Sequence, residues 1–213
     1  MKNLVVLSVL MILLATVAFT EQKDIFELVK AGSPEDVRDA IGKGADAKAR
    51  NTSGQTPLMI AAVNNQNPEV IRILLRAGAD IDAKDGISWT PLMWAAQNNI
   101  NSEVIAVLLQ AGAHVDARGK GNVTALMLAA GRNKNPLVIT ALLKRGADIK
   151  AVDNYGDTPL MYAATLNPNP EVIITLLKAG ADRRTKDNLG KTAFDYAQMN
   201  RALKDTEALK RLK

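Results

Sequence analysis

The chain has 213 residues, no cysteine, one histidine and 4% aromatic residues, with 27 basic against 22 acidic side chains. The length allows one or two domains, and the missing thiols exclude a disulfide framework, a thiolate metal site and a lipid-bearing cysteine. A formal charge of +5, spread along the chain without a basic stripe, gives no ground for nucleic-acid binding.

Residues 1–20 open with Lys2, run uncharged and apolar from Leu4 to Phe19, and give way to the polar Glu21-Gln22-Lys23-Asp24. A basic start, an apolar core of about 15 residues and small residues near the end outline a secretory signal peptide. The run is shorter than the ~20 residues a membrane-spanning helix prefers. Cleavage after Ala18 and cleavage after Thr20 both fit, and an uncleaved anchor is the alternative. The expectation is an exported mature chain, periplasmic or secreted, free of the membrane once the signal is removed, with no lipobox cysteine.

Residues 24–50 read as a degenerate first copy of a unit that recurs through the rest of the chain. Ile25, Leu28 and Val29 keep a core face and Ser33-Pro34-Glu35 starts a second helix, but Asp36, Asp39 and Gly42 stand where the next copy has Val70, Ile73 and Arg76. Polar residues there suit a terminal repeat with one side in water. The regular unit opens at Thr56, Thr90, Thr124 and Thr158 and closes at Gly44, Gly78, Gly112, Gly146 and Gly180, 34 residues apart. A fixed period of this length marks a solenoid.

One unit shows the physics. Thr56-Pro57 predicts a short helix over 57–64, because the hydroxyl accepts an orphan N–H and proline suits the first helical position. Ala61 and Ala62 allow a neighbouring helix to come close. Asn67-Pro68-Glu69 repeats the start signal with an acid at the positive helix end. Val70, Ile71, Leu74 and Leu75 then form one apolar stripe, and Gly78 supplies a left-handed stop. Residues 80–88 form a turn-rich connection. After four regular copies the pattern degrades at Lys191 to Ala197, and Leu203, Leu209 and Leu212 supply the apolar stripe of a C-terminal cap.

Thr-Pro-Leu-x-x-Ala-Ala, the Leu-Leu pair, Gly-Ala-Asp and the Asp-bearing connection resemble the ankyrin repeat, in its bacterial exported form, over about residues 24–213. The resemblance implies an all-α ankyrin-repeat solenoid of helix-loop-helix units joined by β-hairpin loops, with about six repeats including degenerate caps. It implies one domain, 21–213, with repeats at 21–50, 51–84, 85–118, 119–152, 153–186 and 187–213, working as a monomer. Two departures stand out. Met59, Met93, Met127 and Met161 replace the family's histidine, and the junction between the helices is one residue longer than in the common unit.

The residues carry no constellation for catalysis, a cofactor or a metal. His114, the single histidine, sits in a loop without a second ligand. Asp80, Asp82 and Asp85 mimic a calcium loop, but its glycine and closing glutamate positions hold Asp85 and Pro91. The resemblance implies instead a protein partner, held by the hairpin tips and the concave face of the first helices. Carried onto this sequence, the tips present Ile87, Trp89, Lys120, Val123, Tyr155, Asp157 and Leu189. The first helices present Ile60, Trp94, Leu128 and Tyr162. Trp89 and Tyr155 are the expected anchors, while filling gaps between repeats is an equal alternative for Trp94 and Tyr162. The functional expectation is an exported, non-catalytic interaction module. The alternatives are an immunity protein neutralising a toxic enzyme in the periplasm, or a secreted host-directed effector.

Overall fold

The computed structural model describes residues 24–213, so the predicted signal peptide over 1–20 lies outside the described residues. From Ile25 the chain is a row of helix pairs. The first members are Ile25–Ala31, Pro57–Asn64, Pro91–Asn98, Ala125–Arg132, Pro159–Leu166 and Ala193–Ala197; the second are Pro34–Gly42, Pro68–Arg76, Ser102–Gln110, Pro136–Lys144, Pro170–Lys178 and Glu207–Leu212. First members stack on first members as an inner row, and second members on second members as an outer row. Ala61, Ala62 and their counterparts in the other regular copies are fully buried. Their small side chains let neighbouring inner helices pack closely along the row, and the inner-helix face is the one the resemblance implies to be hollow.

The helix signals act as read. Thr56 Oγ1 accepts the Met59 N–H at 3.3 Å, and Thr90, Thr124 and Thr158 do the same for Met93, Met127 and Met161. These methionines are no more than 1% exposed. At Thr56 and Thr158 the backbone N–H also donates to the methionine sulfur at 3.4 Å, a weak acceptor that closes the cap from inside the core. At the far end of the outer helix, Gly78 takes φ 87°. Gly78 and Ala79 then donate to the Leu75 and Leu74 carbonyls at 3.0 Å, which satisfies the last turn.

The longer junction carries a buried polar link between repeats. Asn65, Asn99, Asn133 and Asn167 each end an inner helix, at most 6% exposed. Each donates its Nδ2 twice to the preceding repeat: Asn99 to the Ala62 and Asn65 carbonyls at 3.0 Å, Asn133 to Ala96 and Asn99 at 2.9 Å, and Asn167 to Ala130 and Asn133 at 2.8 and 2.9 Å. Asn65 reaches Val29 and Gly32 of the first repeat, and Asn200 closes the series on Ala164 and Asn167. Each Oδ1 of the four accepts the N–H two residues on, at 2.9 or 3.0 Å, which shapes the junction itself. The carbonyls at an inner helix end would otherwise be buried without donors.

The β-hairpins implied by the resemblance are not formed, because no β-strand occurs among the described residues. The connections are finger-like turns. Each closes with two backbone bonds, such as Asp85 N–H to the Trp89 carbonyl at 3.1 Å and Ser88 N–H to the Asp85 carbonyl at 2.9 Å, and each later tip donates one N–H to the tip before it, such as Lys120 to Ile87 at 3.1 Å. A ladder needs more. In the Asp-bearing fingers, and at Asn51, a side-chain oxygen takes the N–H groups of the residues two and four positions on. Such local side-chain bonds compete with strand pairing and win here.

Asn99→Ala removes two donors from buried carbonyls and should lower stability in urea melts by about 2–4 kcal/mol. Asn200→Ala, at a half-buried terminal site, should cost clearly less; equal losses at both would mean that burial does not set the strength of these links.

Candidate partner-binding surface

Three of the five fingers are organised by one carboxylate each. In the fingers of Asp85, Asp153 and Asp187, Oδ1 accepts the N–H groups of Ile87 and Trp89, of Tyr155 and Asp157, and of Leu189 and Lys191 at 2.8–3.0 Å. That turn lifts the residue two positions after the acid to the tip. Oδ2 reaches back to the inner helix nine residues on, accepting from Trp94 Nε1 and Tyr162 Oη at 2.9 Å and from the Tyr196 hydroxyl. The copies without the acid, at Asn51 and Gly119, have Ile60 and Leu128 at the helix position. Acid and polar-tipped aromatic therefore occur together.

This pairing uses the polar atoms of Trp94 and Tyr162 inside the chain, with both rings half-buried. Ile60 is half-buried and Leu128 only 6% exposed. Trp89 is half-buried as well and does not stand at a tip: its ring lies 4.7 Å from that of Trp94, centroid to centroid. A Cβ on Gly119 would come within 2.8 Å of Trp89 Cδ1. Gly119 thus holds the acid position of its finger because the indole fills the space.

The tips themselves carry Ile87, Tyr155 and Leu189, 41%, 72% and 76% exposed. Gly121 holds the equivalent position in the finger between the first two. Lys120 is exposed, while Val123 and Asp157 are half-buried at finger bases. The expected anchors separate: Tyr155 faces solvent, whereas Trp89 packs between fingers. The sequence reading passed over a second exposed apolar set at the ends of the inner helices, Ile100, Leu166 and Met199, 61%, 51% and 68% exposed. Its signal was present, since the equivalent of Ile100 in the copy before it is Gln66, and those of Leu166 in the earlier copies are Asn64, Asn98 and Arg132.

Carboxylates and phenols shape the finger bases between Tyr155 and Tyr196. Burial, then the charges of Asp153 and Asp187, push the Asp157 carboxyl above its ordinary range, and its Oδ1 is buried without a hydrogen-bond partner. Burial and the bond to Asp153 push the Tyr162 phenol up. Tyr196 is pushed up to about 12, first by its bond to Asp187; the same bond is the main cause holding Asp187 below the usual carboxylate range. His114 is a loop residue whose Nδ1 lies 2.6 Å from Asp82 Oδ2 and whose backbone N–H donates to Asp82 Oδ1 at 3.0 Å. No group of three or more His, Asp or Glu among the described residues is placed to hold a metal ion.

A family model described as ankyrin repeats (3 copies) matches residues 25–119 and 126–212. Comparison with the curated proteins finds no match.

Asp157→Asn should stabilise the fold at neutral pH. A carboxyl whose folded pKa is raised is destabilising when ionised, and that penalty fades as pH falls through the folded pKa towards the unfolded value of 3.8. The difference in urea midpoint between the variant and the parent chain should therefore be largest near pH 7 and shrink below pH ~4. A constant or growing difference on acidification would contradict the assignment.

Proposed function

Because the chain belongs to the ankyrin repeat family, we propose that it is a non-catalytic interaction module that holds a partner protein against its finger tips and hollow inner face. The observation that carries this reading is the stripe of exposed Ile87, Tyr155 and Leu189 at equivalent places on three fingers. Large apolar side chains gain nothing for folding when left in water. Held on turns that are hydrogen-bonded internally and to one another, they form a surface that needs little ordering on binding. Aromatic residues in such places supply much of the energy of protein interfaces.

The partner's compartment follows from the N-terminal sequence alone: Lys2 and the apolar run from Leu4 to Phe19 support export to the periplasm or beyond. An inhibitor of a toxic periplasmic enzyme and an effector directed at a host would use the same surface. N-terminal sequencing of the protein purified from its source should find a mature start near residue 19 or 21. Intact Met1 on cytoplasmic protein would remove the export reading and leave the binding surface untouched.

The surface is tested by affinity capture with the tagged mature chain from extracts of the source cells. Interface anchors are worth about 2 kcal/mol or more, a roughly thirtyfold change in Kd each. Tyr155→Ala with Leu189→Ala should therefore abolish recovery of the proteins captured by the parent chain while leaving the melting temperature nearly unchanged, since both side chains lie mostly in water. Undiminished capture by the double variant would place the binding site elsewhere.

A further inference from the structure

Where the inner helices end, the hollow face carries an open groove of about 530 Å³. Ile100, Leu166 and Pro168 give it apolar edges, and Gly131 lies buried within its lining. The equivalent residues in neighbouring copies are Val63, Gln97 and Thr165. A Cβ at Gly131 would stand 3.3 Å from Leu166 Cδ1 and Tyr162 Cδ1, so the glycine lets these two side chains close against the helix, and Leu166 is thereby set as one wall of the groove.

Arg132 and Lys134 line the same groove. Both are exposed, and among the described residues neither takes part in an ion pair. This is unlike the cations of the finger row, where Arg50 and Arg118 each donate to two backbone carbonyls and Lys84 to one. No carboxylate lines the groove. The carboxylates of this face, Asp153 and Asp157, line a separate depression that shares Leu166 with it. An anionic ligand would be drawn to the Arg132 side of Leu166 and repelled from the other.

We propose that this groove receives an acidic segment of the partner protein, with an apolar side chain seated between Ile100 and Leu166 and its Asp or Glu residues facing Arg132 and Lys134. The inference rests on the interaction-module reading and names the chemistry of what that module holds. Exposed ion pairs are individually weak and are screened by salt. The apolar contact therefore supplies most of the affinity, while the two cations select against basic segments and speed encounter. In the lining, Asn98 Nδ2 donates to the Trp94 carbonyl and to Gln97 Oε1 at 3.2 and 3.1 Å, which leaves Gln97 Nε2 as a donor and Asn98 Oδ1 as an acceptor for an extended backbone.

The test uses the mature chain, immobilised and panned against a random peptide display library. Enriched peptides should place Asp or Glu beside a Leu, Met or Phe. A synthetic copy of an enriched peptide, followed by fluorescence anisotropy, should bind roughly tenfold or more weakly to Arg132→Glu/Lys134→Glu and at high salt. Gly131→Gln, which gives this copy the side chain of its neighbour, should weaken binding too; the charge variants, at exposed positions, carry the test should Gly131→Gln fail to fold. Absence of enrichment, a basic consensus, or equal binding by the charge variant would overturn the proposal. A chain that selects no acidic peptide yet loses its captured protein on Tyr155→Ala/Leu189→Ala keeps the interaction-module reading and loses this one.

Discussion

The buried asparagine at the end of each inner helix is the interaction on which the stack depends. A helix that ends inside a solenoid leaves carbonyls facing the next repeat with no water to satisfy them. One carboxamide resolves both sides of that problem: Nδ2 donates to two carbonyls of the preceding repeat, and Oδ1 accepts the N–H that starts the next outer helix's cap. Because Asn99 donates to the carbonyl of Asn65, and Asn133 to that of Asn99, the residues form a continuous ladder through the core. Buried carboxamides of this kind add specificity as well as energy, since a shift in repeat register would leave every one of them unpaired.

The fingers rest on a second repeated device, built from carboxylates. An aspartate at the base of the finger spends one oxygen on the turn and the other on an aromatic of the inner helix, so tip and helix are fixed to each other within a single copy. Basic side chains then tie the first four fingers to one another, as Arg118 does by donating to both the Asn122 and the Val152 carbonyls, while Asn188 Nδ2 donates to the Asn154 carbonyl between the last two. Much of the positive charge of the finger row is thereby occupied with backbone. Of the two fingers without the aspartate, that of Gly119 is the one whose neighbour brings Trp89, and the indole takes the vacated space. Rigidity in the fingers has a functional sense: a preorganised tip loses little entropy when a partner covers it.

These devices sort the surface. Side chains that looked available for binding by position, Trp94, Tyr162 and Trp89, are partly consumed in holding fingers and helices together. Those left largely in water include Tyr155, Leu189 and Ile87 at the tips, and Ile100 and Leu166 beside Arg132 and Lys134 on the hollow face. The result is an apolar rim and a groove with cations, separated by the acidic finger bases of Asp153 and Asp157.

The sequence by itself determined the period, the helix pairs and their ends, because Thr-Pro, Asn-Pro and the C′ glycines act within a few residues of themselves. It also determined the core face, since Val70, Ile71 and Leu74 lie on one stripe of one helix. The tertiary structure decided what depends on residues one repeat apart. Asn99 reads as a polar junction residue until the previous repeat places two carbonyls against it, and Gly119 reads as a turn glycine until Trp89 arrives from the finger before. In the Asp-bearing fingers the absence of strands was decided in the same way, by local side-chain bonds to Asp85 and its counterparts that compete with cross-repeat pairing, while the Gly119 finger, without that side chain, closes in a 3-10 turn over Lys120–Asn122.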